Sequence, residues 1–381
     1  MREKPPRILF IVVSTDIGGA ERQAINLAKG FLNRGIYHMY FLSLSKGSGR
    51  LTEEVAPLGI KVAHFDLDPY LIYFFKKYPT GLSQLKLYSR AKKQFREIEK
   101  IASDFVPDVI IPFTYYPNVV SGIISKKMGL KKTIWNQRDL GTEGMDGNLF
   151  EKKAIRNTTE FIGNSETVIG YLKNQTGTES GSFNLVENSV DLPSAKLSRD
   201  EWKKKLGVRG SEILFLMISN IHPNKDHETV IKAFELLKGK IPAYKVAFVG
   251  RKHEAHVDKL QQQIAGSSLQ DKILFPGFSE DITGLLQACD IFIFSSKTEG
   301  SPNALLEAMF AGKKIVASDI APVTELLGKD YKYLFAAGKA DSLSEKLKEI
   351  VSAQASEKTS YKRLEERTIK NMADKYLSII K

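Results

Sequence analysis

The amino-acid sequence predicts an α/β protein built from two Rossmann-like, doubly wound parallel-sheet units, and three observations carry that prediction. Short apolar runs alternate with stretches of helical periodicity, the rhythm of strands crossed over by helices. The rhythm stops at Glu187-Asn-Ser-Val-Asp-Leu-Pro193 and then restarts. With 381 residues the chain is long enough for two domains, each with its own core. Residues 1–190 are expected to form the first unit and 191–360 the second, with 361–381 as a helical tail that docks back on the first.

In the first unit Ile8 to Ser14 reads as a strand. Ala24, Leu27, Ala28 and Phe31 then recur at helical spacing, and Gly35 supplies a stop. Strand candidates follow at Tyr37 to Ser43, Val62 to Phe65, Val109 to Pro112, Lys132 to Trp135 and Phe161 to Asn164. Ser198-Arg-Asp-Glu201 is a capping box opening a helix of the second unit. Strands are expected there at Ile213 to Ser219, Lys245 to Gly250, Ile273 to Pro276, Asp290 to Ser295 and Lys314 to Ser318. Helices between them cover about Asp226 to Lys238, His253 to Ala265, Ile282 to Cys289 and Pro302 to Gly312. In the tail, Met372, Tyr376, Ile379 and Ile380 mark an apolar helix side.

The densest chemical signal is Glu299-Gly-Ser-Pro-Asn303-Ala-Leu-Leu-Glu307. Ser301 suits an N-cap and Pro302 the first helical position, so the amides just inside this start lack intrahelical acceptors. Unpaired N–H groups and the positive end of the helix dipole together attract a phosphate. Glu307 shares the face of Asn303, four residues earlier, while Glu299 belongs to the preceding loop. A ligand with phosphate on one side and hydroxyls on the other fits this arrangement. A capped amphipathic helix with a solvated Glu307 accounts for the same residues.

Composition narrows the classes. Hydrophobic content of 42% and charged content of 26% are those of a globular protein. No apolar run approaches the length of a membrane span. Ile8 to Val13 is too short for a signal-peptide core and lacks a cleavage site. Cys289 is the only cysteine, so neither an intramolecular disulfide nor a cysteine metal site is available, in keeping with a reducing cytosol. The net charge of +12 calls for an anionic partner. Between Tyr70 and Ile101 an aromatic run precedes eight basic residues, among them Lys86, Arg90, Lys93 and Lys100, which fits an interfacial segment touching anionic lipid. A core-packing aromatic cluster followed by a solvated helix reads equally from the same residues. Nucleic acid is not expected, because no recognition module accompanies the charge.

These residues carry a resemblance to the group 1 glycosyltransferases, retaining enzymes dependent on nucleotide sugars and built on the GT-B fold of two domains facing a cleft. Glu299 and Glu307 stand at the family's glutamate pair, with seven residues between; Gly300, Pro302, Ala308, Gly312, Val316, Ala317 and Glu325 extend the match. The resemblance implies that Glu307 binds the nucleotide ribose, that Glu299 contacts the donor sugar, and that the stretch Ser301 to Ala304 holds the diphosphate through its amides, with Asn220, Gly300 and Pro302 counted among the donor-binding residues. Ser219-Asn-Ile-His-Pro-Asn-Lys225 resembles the diphosphate loop, with Lys225 placed to meet the leaving pyrophosphate. The family often has Gly-Arg where this chain has Ser219-Asn220, so one usual positive charge is missing. Gly18-Gly19-Ala-Glu21 resembles the family's first strand-to-helix turn, where glycines permit close backbone approach to a donor. It is not the dinucleotide fingerprint.

Other positions depart from the pattern. Arg138 occupies the apparent place of a family histidine, so no catalytic histidine is carried over; Arg138 and Asp139 are candidates for acceptor-side or donor-sugar contacts, or form a local ion pair. Asn188 and Asp191 match a junction turn in which Ser189 replaces glycine, and Asn164-Ser165 match a turn that shapes the cleft. No metal site is expected: His222, His227, His253 and His256 lack a set of ligand spacings, and Asp66-Leu-Asp68 has no supporting context.

The expected activity is transfer of a hexosyl or N-acetylhexosaminyl group from a UDP- or GDP-linked sugar to a sugar or lipid-linked sugar acceptor in cell-surface polysaccharide or glycolipid biosynthesis. The resemblance implies retention of configuration with no metal or other cofactor, in the cytoplasm or peripherally on the inner membrane face. A nucleotide-sugar epimerase, or a non-catalytic nucleotide-sugar-binding subunit, would use a similar fold.

Overall fold

A computed structural model describes residues 4–47, 49–68, 82–140, 149–177, 181–353, 361 and 364–381. The aromatic start of the basic segment, Tyr70 to Phe75, lies outside them. The chain divides into two compact units, Met1–Ser189 with Glu366–Lys381, and Val190–Glu365.

In the first unit the chain runs through β1 (Ile8–Val12), α1 (Gly19–Leu32), β2 (Met39–Ser43), α2 (Arg50–Val55), β3 (Lys61–His64), α3 (Leu82–Phe105), β4 (Val109–Pro112) and α4 (Tyr115–Lys127). It continues through β5 (Ile134–Gln137), α5 (Leu149–Asn157), β6 (Glu160–Gly163), α6 (Glu166–Thr176) and β7 (Ser182–Leu185). The strands form two parallel sheets in the orders β3-β2-β1-β4 and β5-β6-β7, with β5 lying alongside β4. β1 and β4 are buried throughout, as expected of parallel strands covered on both faces.

Two features differ from the sequence expectation. β5 starts two residues late and includes Asn136 and Gln137, both fully buried. The Gln137 side chain is bonded there, accepting from the Trp135 indole at 3.0 Å, and the Asn136 backbone exchanges two hydrogen bonds with the Asn118 side chain, at 2.8 and 3.1 Å. β7 went unread because it is short and only half buried, so neither an apolar run nor a clean alternation marks it.

The C-terminal helix, Ile369–Ile380, belongs to this unit and buries Met372, Ala373, Tyr376 and Ile379. It crosses α1 at Gly30, where a Cβ would stand 2.7 Å from the Ala373 Cβ. Glu187 ties its start by ion pairs to Arg367 at 2.9 Å and Lys375 at 3.0 Å. Tyr361 is instead part of the second unit, its hydroxyl donating to the Lys313 carbonyl at 2.8 Å.

The second unit opens with α7 (Arg199–Lys205), whose capping box forms as read: Ser198 N–H donates to Glu201 at 2.8 Å. Then follow β8 (Ile213–Ile218), α8 (His227–Leu236), β9 (Tyr244–Val249), α9 (Glu254–Ile264), β10 (Ile273–Gly277), α10 (Ile282–Ala288) and β11 (Ile291–Phe294). The unit closes with α11 (Asn303–Phe310), β12 (Lys314–Ser318), α12 (Ala321–Leu327), β13 (Leu334–Phe335) and α13 (Ala340–Ser352). One parallel sheet of six strands results, in the order β10-β9-β8-β11-β12-β13. The order reverses direction between β8 and β11, which places the loops leaving their carboxyl ends side by side. That is where open α/β sheets receive ligands.

Candidate functional site

The loops after β8 and β11 carry the residues singled out in the second unit. After β8 the chain passes the exposed Asn220 and makes a short 3₁₀ turn at Pro223–Lys225 before α8. After β11 it runs through Ser295 to Pro302 into α11. Lys225 and Glu299, 74 residues apart in sequence, form an ion pair through Nζ and Oε1. Their side chains keep 28% and 16% of their exposure, so the pair is sheltered yet open to an incoming ligand.

A second pair runs the other way. Lys297, from the β11 loop, reaches Asp226, from the β8 loop, at 3.1 Å. Asp226 adopts φ +56°, a left-handed conformation that costs a non-glycine residue about 1 kcal/mol. Thr229 holds its carboxylate at 2.7 Å. The backbone adds two links: Ser295 Oγ donates to the Lys225 carbonyl at 2.7 Å, and Lys297 N–H to the Asn224 carbonyl at 2.9 Å. The two loops are thus held by four interactions, which sets the Lys225 ammonium before any ligand arrives. Asp226, Ser295 and Lys297 were not singled out from the sequence; Asp226 directly follows Lys225, and that adjacency was the available signal.

Behind these loops the packing is close. A Cβ on Gly250, which follows β9, would lie 1.8 Å from the Ser219 carbonyl oxygen. His227 is fully buried, its Nε2 3.3 Å from Ser219 Oγ. Burial, then the neighbouring His256 and Lys225, push its pKa down to about 3, so the ring beside the loop stays neutral.

The helix start differs by one position from the sequence reading. Pro302 is the N-cap, with extended backbone at φ −79° and ψ 101°, and its carbonyl accepts from Leu306 at 3.1 Å; Asn303 is the first helical residue. Proline fixes φ but not ψ, so it serves as well just outside a helix as at its first turn. Gly300 is buried and Ser301, Asn303, Ala304 and Glu307 are half-buried. Asn303 and Glu307 share one face of α11.

In the first unit, Gly18 caps α1 and Gly19 is its first residue. The Gly18 N–H donates to Glu21 Oε2 at 3.1 Å and the Ser14 N–H to Glu21 Oε1 at 3.3 Å, so the Glu21 carboxylate shapes the turn from inside. Arg138 and Asp139 do not pair with each other. The Asp139 carboxylate accepts from Gln137 at 2.9 Å, whereas Arg138 is buried, its guanidinium 5.1 Å above the Phe113 ring. Asp68 faces Arg90 at 4.0 Å. Among the described residues no group of three or more His, Cys, Asp or Glu side chains could hold a metal ion. No helix among them is long and apolar enough to cross a membrane.

Comparison with known proteins places this arrangement. Residues 198–371 match the family described as glycosyl transferases group 1. The chain is 26% identical to the putative glycosyltransferase EpsD of Bacillus subtilis over 193 residues, spanning 48% of this chain and half of that protein's length. To the putative glycosyltransferase EpsF of the same organism it is 21% identical, over 84% of this chain and 80% of EpsF. A stretch of 72 residues is 46% identical to the Campylobacter jejuni N,N'-diacetylbacillosaminyl-diphospho-undecaprenol alpha-1,3-N-acetylgalactosaminyltransferase, covering 19% of each chain. Among solved structures, Anabaena HepE in complex with UDP and glucose superposes with a TM-score of 0.77 at 20% identity, over 98% of this chain and 99% of that one. With two parallel-sheet units, and loops pinned at the strand reversal of the second, the chain has the GT-B fold, and residues 198–371 within it match the group 1 glycosyltransferase family.

Proposed function

We propose that the protein is a retaining, metal-independent glycosyltransferase that uses a UDP- or GDP-linked sugar and extends a sugar or lipid-linked sugar acceptor. The observation that carries this reading is the Lys225–Glu299 pair at the mouth of the β8 and β11 loops, one turn of chain from the start of α11. A diphosphate arriving there competes with Glu299 for the Lys225 ammonium. The N–H groups of Ser301, Asn303 and Ala304 meet it from the other side, and Glu307 takes the ribose hydroxyls. Lys225 and the helix start supply positive charge that strengthens as the leaving group gains its negative charge, the role a divalent cation fills elsewhere. Released from Lys225, Glu299 is free to accept from hydroxyls of the donor sugar, and Gly18-Gly19 provides a turn of small residues in the first unit.

The lipid-linked acceptor is supported by the Campylobacter relative, whose name states a diphospho-undecaprenol substrate. Cytoplasmic, peripheral attachment to the inner membrane face is supported by α3. This helix buries Ala91, Phe95 and Ile98 and exposes Lys86, Arg90, Lys92, Lys93, Arg96 and Lys100. Binding to vesicles containing anionic lipid, weakening steeply with salt, is the expected outcome; equal sedimentation with neutral and anionic vesicles removes the membrane part.

A thermal-shift screen of UDP- and GDP-sugars tests the main reading, followed by NMR of the product formed from the best donor. Transfer with the donor's anomeric configuration, unchanged by a chelator, is expected. An epimerised donor in the absence of any acceptor would favour an epimerase, and nucleotide binding without turnover a non-catalytic subunit.

A further inference from the structure

On β5 and just beyond it, Ile134, Asn136 and Arg138 alternate onto one face, the face packed with Phe113, Val186 and Tyr376 of the same unit. Arg138 retains only 7% of its exposure. Its Nη1 makes a long contact of 3.4 Å to the Val186 carbonyl, while Nε and Nη2 are buried with no partner among the described residues. Among the described residues no carboxylate stands within ion-pair distance of it, and burial pulls its pKa below the usual guanidinium value.

The surroundings are polar and equally unsatisfied. Tyr376 lies beside Arg138 and Asn136, yet its hydroxyl and both side-chain atoms of Asn136 complete no hydrogen bond of normal geometry. Asn164 donates to the Arg138 carbonyl at 3.1 Å and leaves its own Oδ1 without a partner. Thr114, next to the Phe113 ring under the guanidinium, holds φ +77°, a strained conformation for a β-branched residue. An uncompensated buried cation weakens a fold. Its planar fork of N–H groups, with two of its three nitrogens unused, matches a carboxylate or a phosphate.

We propose that the first unit contains a site for an anionic group, a carboxylate or phosphate carried by the sugar substrate, bound by Arg138 with Asn136 and Tyr376 as its polar neighbours. The substrate class thereby narrows from sugars in general to acidic or phosphorylated sugars. Assigning the anion to a sugar rests on the glycosyltransferase reading; the anion site itself does not.

The experiment uses the full chain saturated with whichever of UDP or GDP stabilises it, titrated by calorimetry with D-glucuronate, D-glucose 6-phosphate, D-glucose and inorganic phosphate. One or both anionic sugars should bind about tenfold or more tightly than glucose, as charge-assisted hydrogen bonds allow. Preference for glucuronate identifies a carboxylate and for glucose 6-phosphate a sugar phosphate; inorganic phosphate binding as well as either overturns the sugar assignment. Arg138→Met should abolish the preference while melting no lower than wild type when ligand-free, since it removes an unpaired charge. Asn136→Asp, which supplies a carboxylate from within, should also abolish it and raise the ligand-free melting temperature. Equal binding of glucose and both anionic sugars by the wild type, or a preference that survives either substitution, overturns the proposal. Failure of both nucleotides to bind would count against the donor site alone, because the titration can be repeated without them.

Discussion

Replacing Lys225 with alanine isolates the charge on which the proposed chemistry depends. When the glycosidic bond breaks, the leaving diphosphate gains about one unit of negative charge. An ammonium about 4 Å away attracts a unit charge by roughly 4 kcal/mol at the effective dielectric of about 20 suited to a site near the protein surface. Lys225 fits that description, its side chain being 28% exposed. Allowing for the lost charge to be partly replaced by water, removal should raise the barrier by about 3–4 kcal/mol, a loss of roughly 10²–10³ in kcat/KM. The same substitution should hardly affect the fold. Ion pairs of this partly exposed kind contribute at most about 1 kcal/mol, which corresponds to a shift of a few degrees in melting temperature. Glu299→Gln serves as the control, because it frees the ammonium without removing it and should leave diphosphate affinity intact or improved. The assay is product formation at subsaturating donor, with melting curves of each variant. If Lys225→Ala turns over within threefold of wild type, the assignment of Lys225 to the leaving group is wrong. If it melts ten degrees lower, its role is structural.

Three further outcomes follow from packing and burial. Gly250→Ala places a Cβ 1.8 Å from the Ser219 carbonyl oxygen; relief requires the β8 loop to move, so a loss of about 1–3 kcal/mol in chemical denaturation and weaker nucleotide binding are expected together. Gly30→Ala meets Ala373 Cβ at 2.7 Å and the Ile369 carbonyl at 2.8 Å, and should destabilise by a similar amount of about 1–3 kcal/mol without changing nucleotide affinity. His227, held at a pKa of about 3 against 6.5 unfolded, makes the unfolded chain the better proton acceptor. Stability should therefore fall as pH drops below about 6.5, by up to about 1.4 kcal/mol per pH unit down to about pH 3. Comparing unfolding of wild type and His227→Gln across that window checks it, since the variant should lose this component of the slope.

The sequence by itself determined the elements of the second unit closely from β8 to β12, but not the helices α12 and α13 that follow. β8 through β12 begin and end within about a residue or so of their apolar runs, because a parallel strand covered on both faces must be apolar throughout and turn residues bound it. It placed the α11 start to within one residue, although the cap is Pro302, with no side-chain capping bond, and not Ser301. Tertiary structure decided the rest. β13 has two residues and β7 is half exposed, so their pairing rather than their composition makes them strands. Lys225 meets Glu299, and Lys297 meets Asp226, only because the sheet order reverses between β8 and β11. Glu21 turns inward to the Gly18 amide, where the sequence showed a glycine turn and no occupant. Arg138 stood in the sequence beside an aspartate that looked able to neutralise it. In the fold successive residues of an extended segment turn to opposite sides, Asp139 bonds to Gln137, and among the described residues the buried guanidinium has no counter-ion. Local periodicity encodes which residues are buried; which buried charges meet is set by crossovers that bring distant segments to one edge of a sheet.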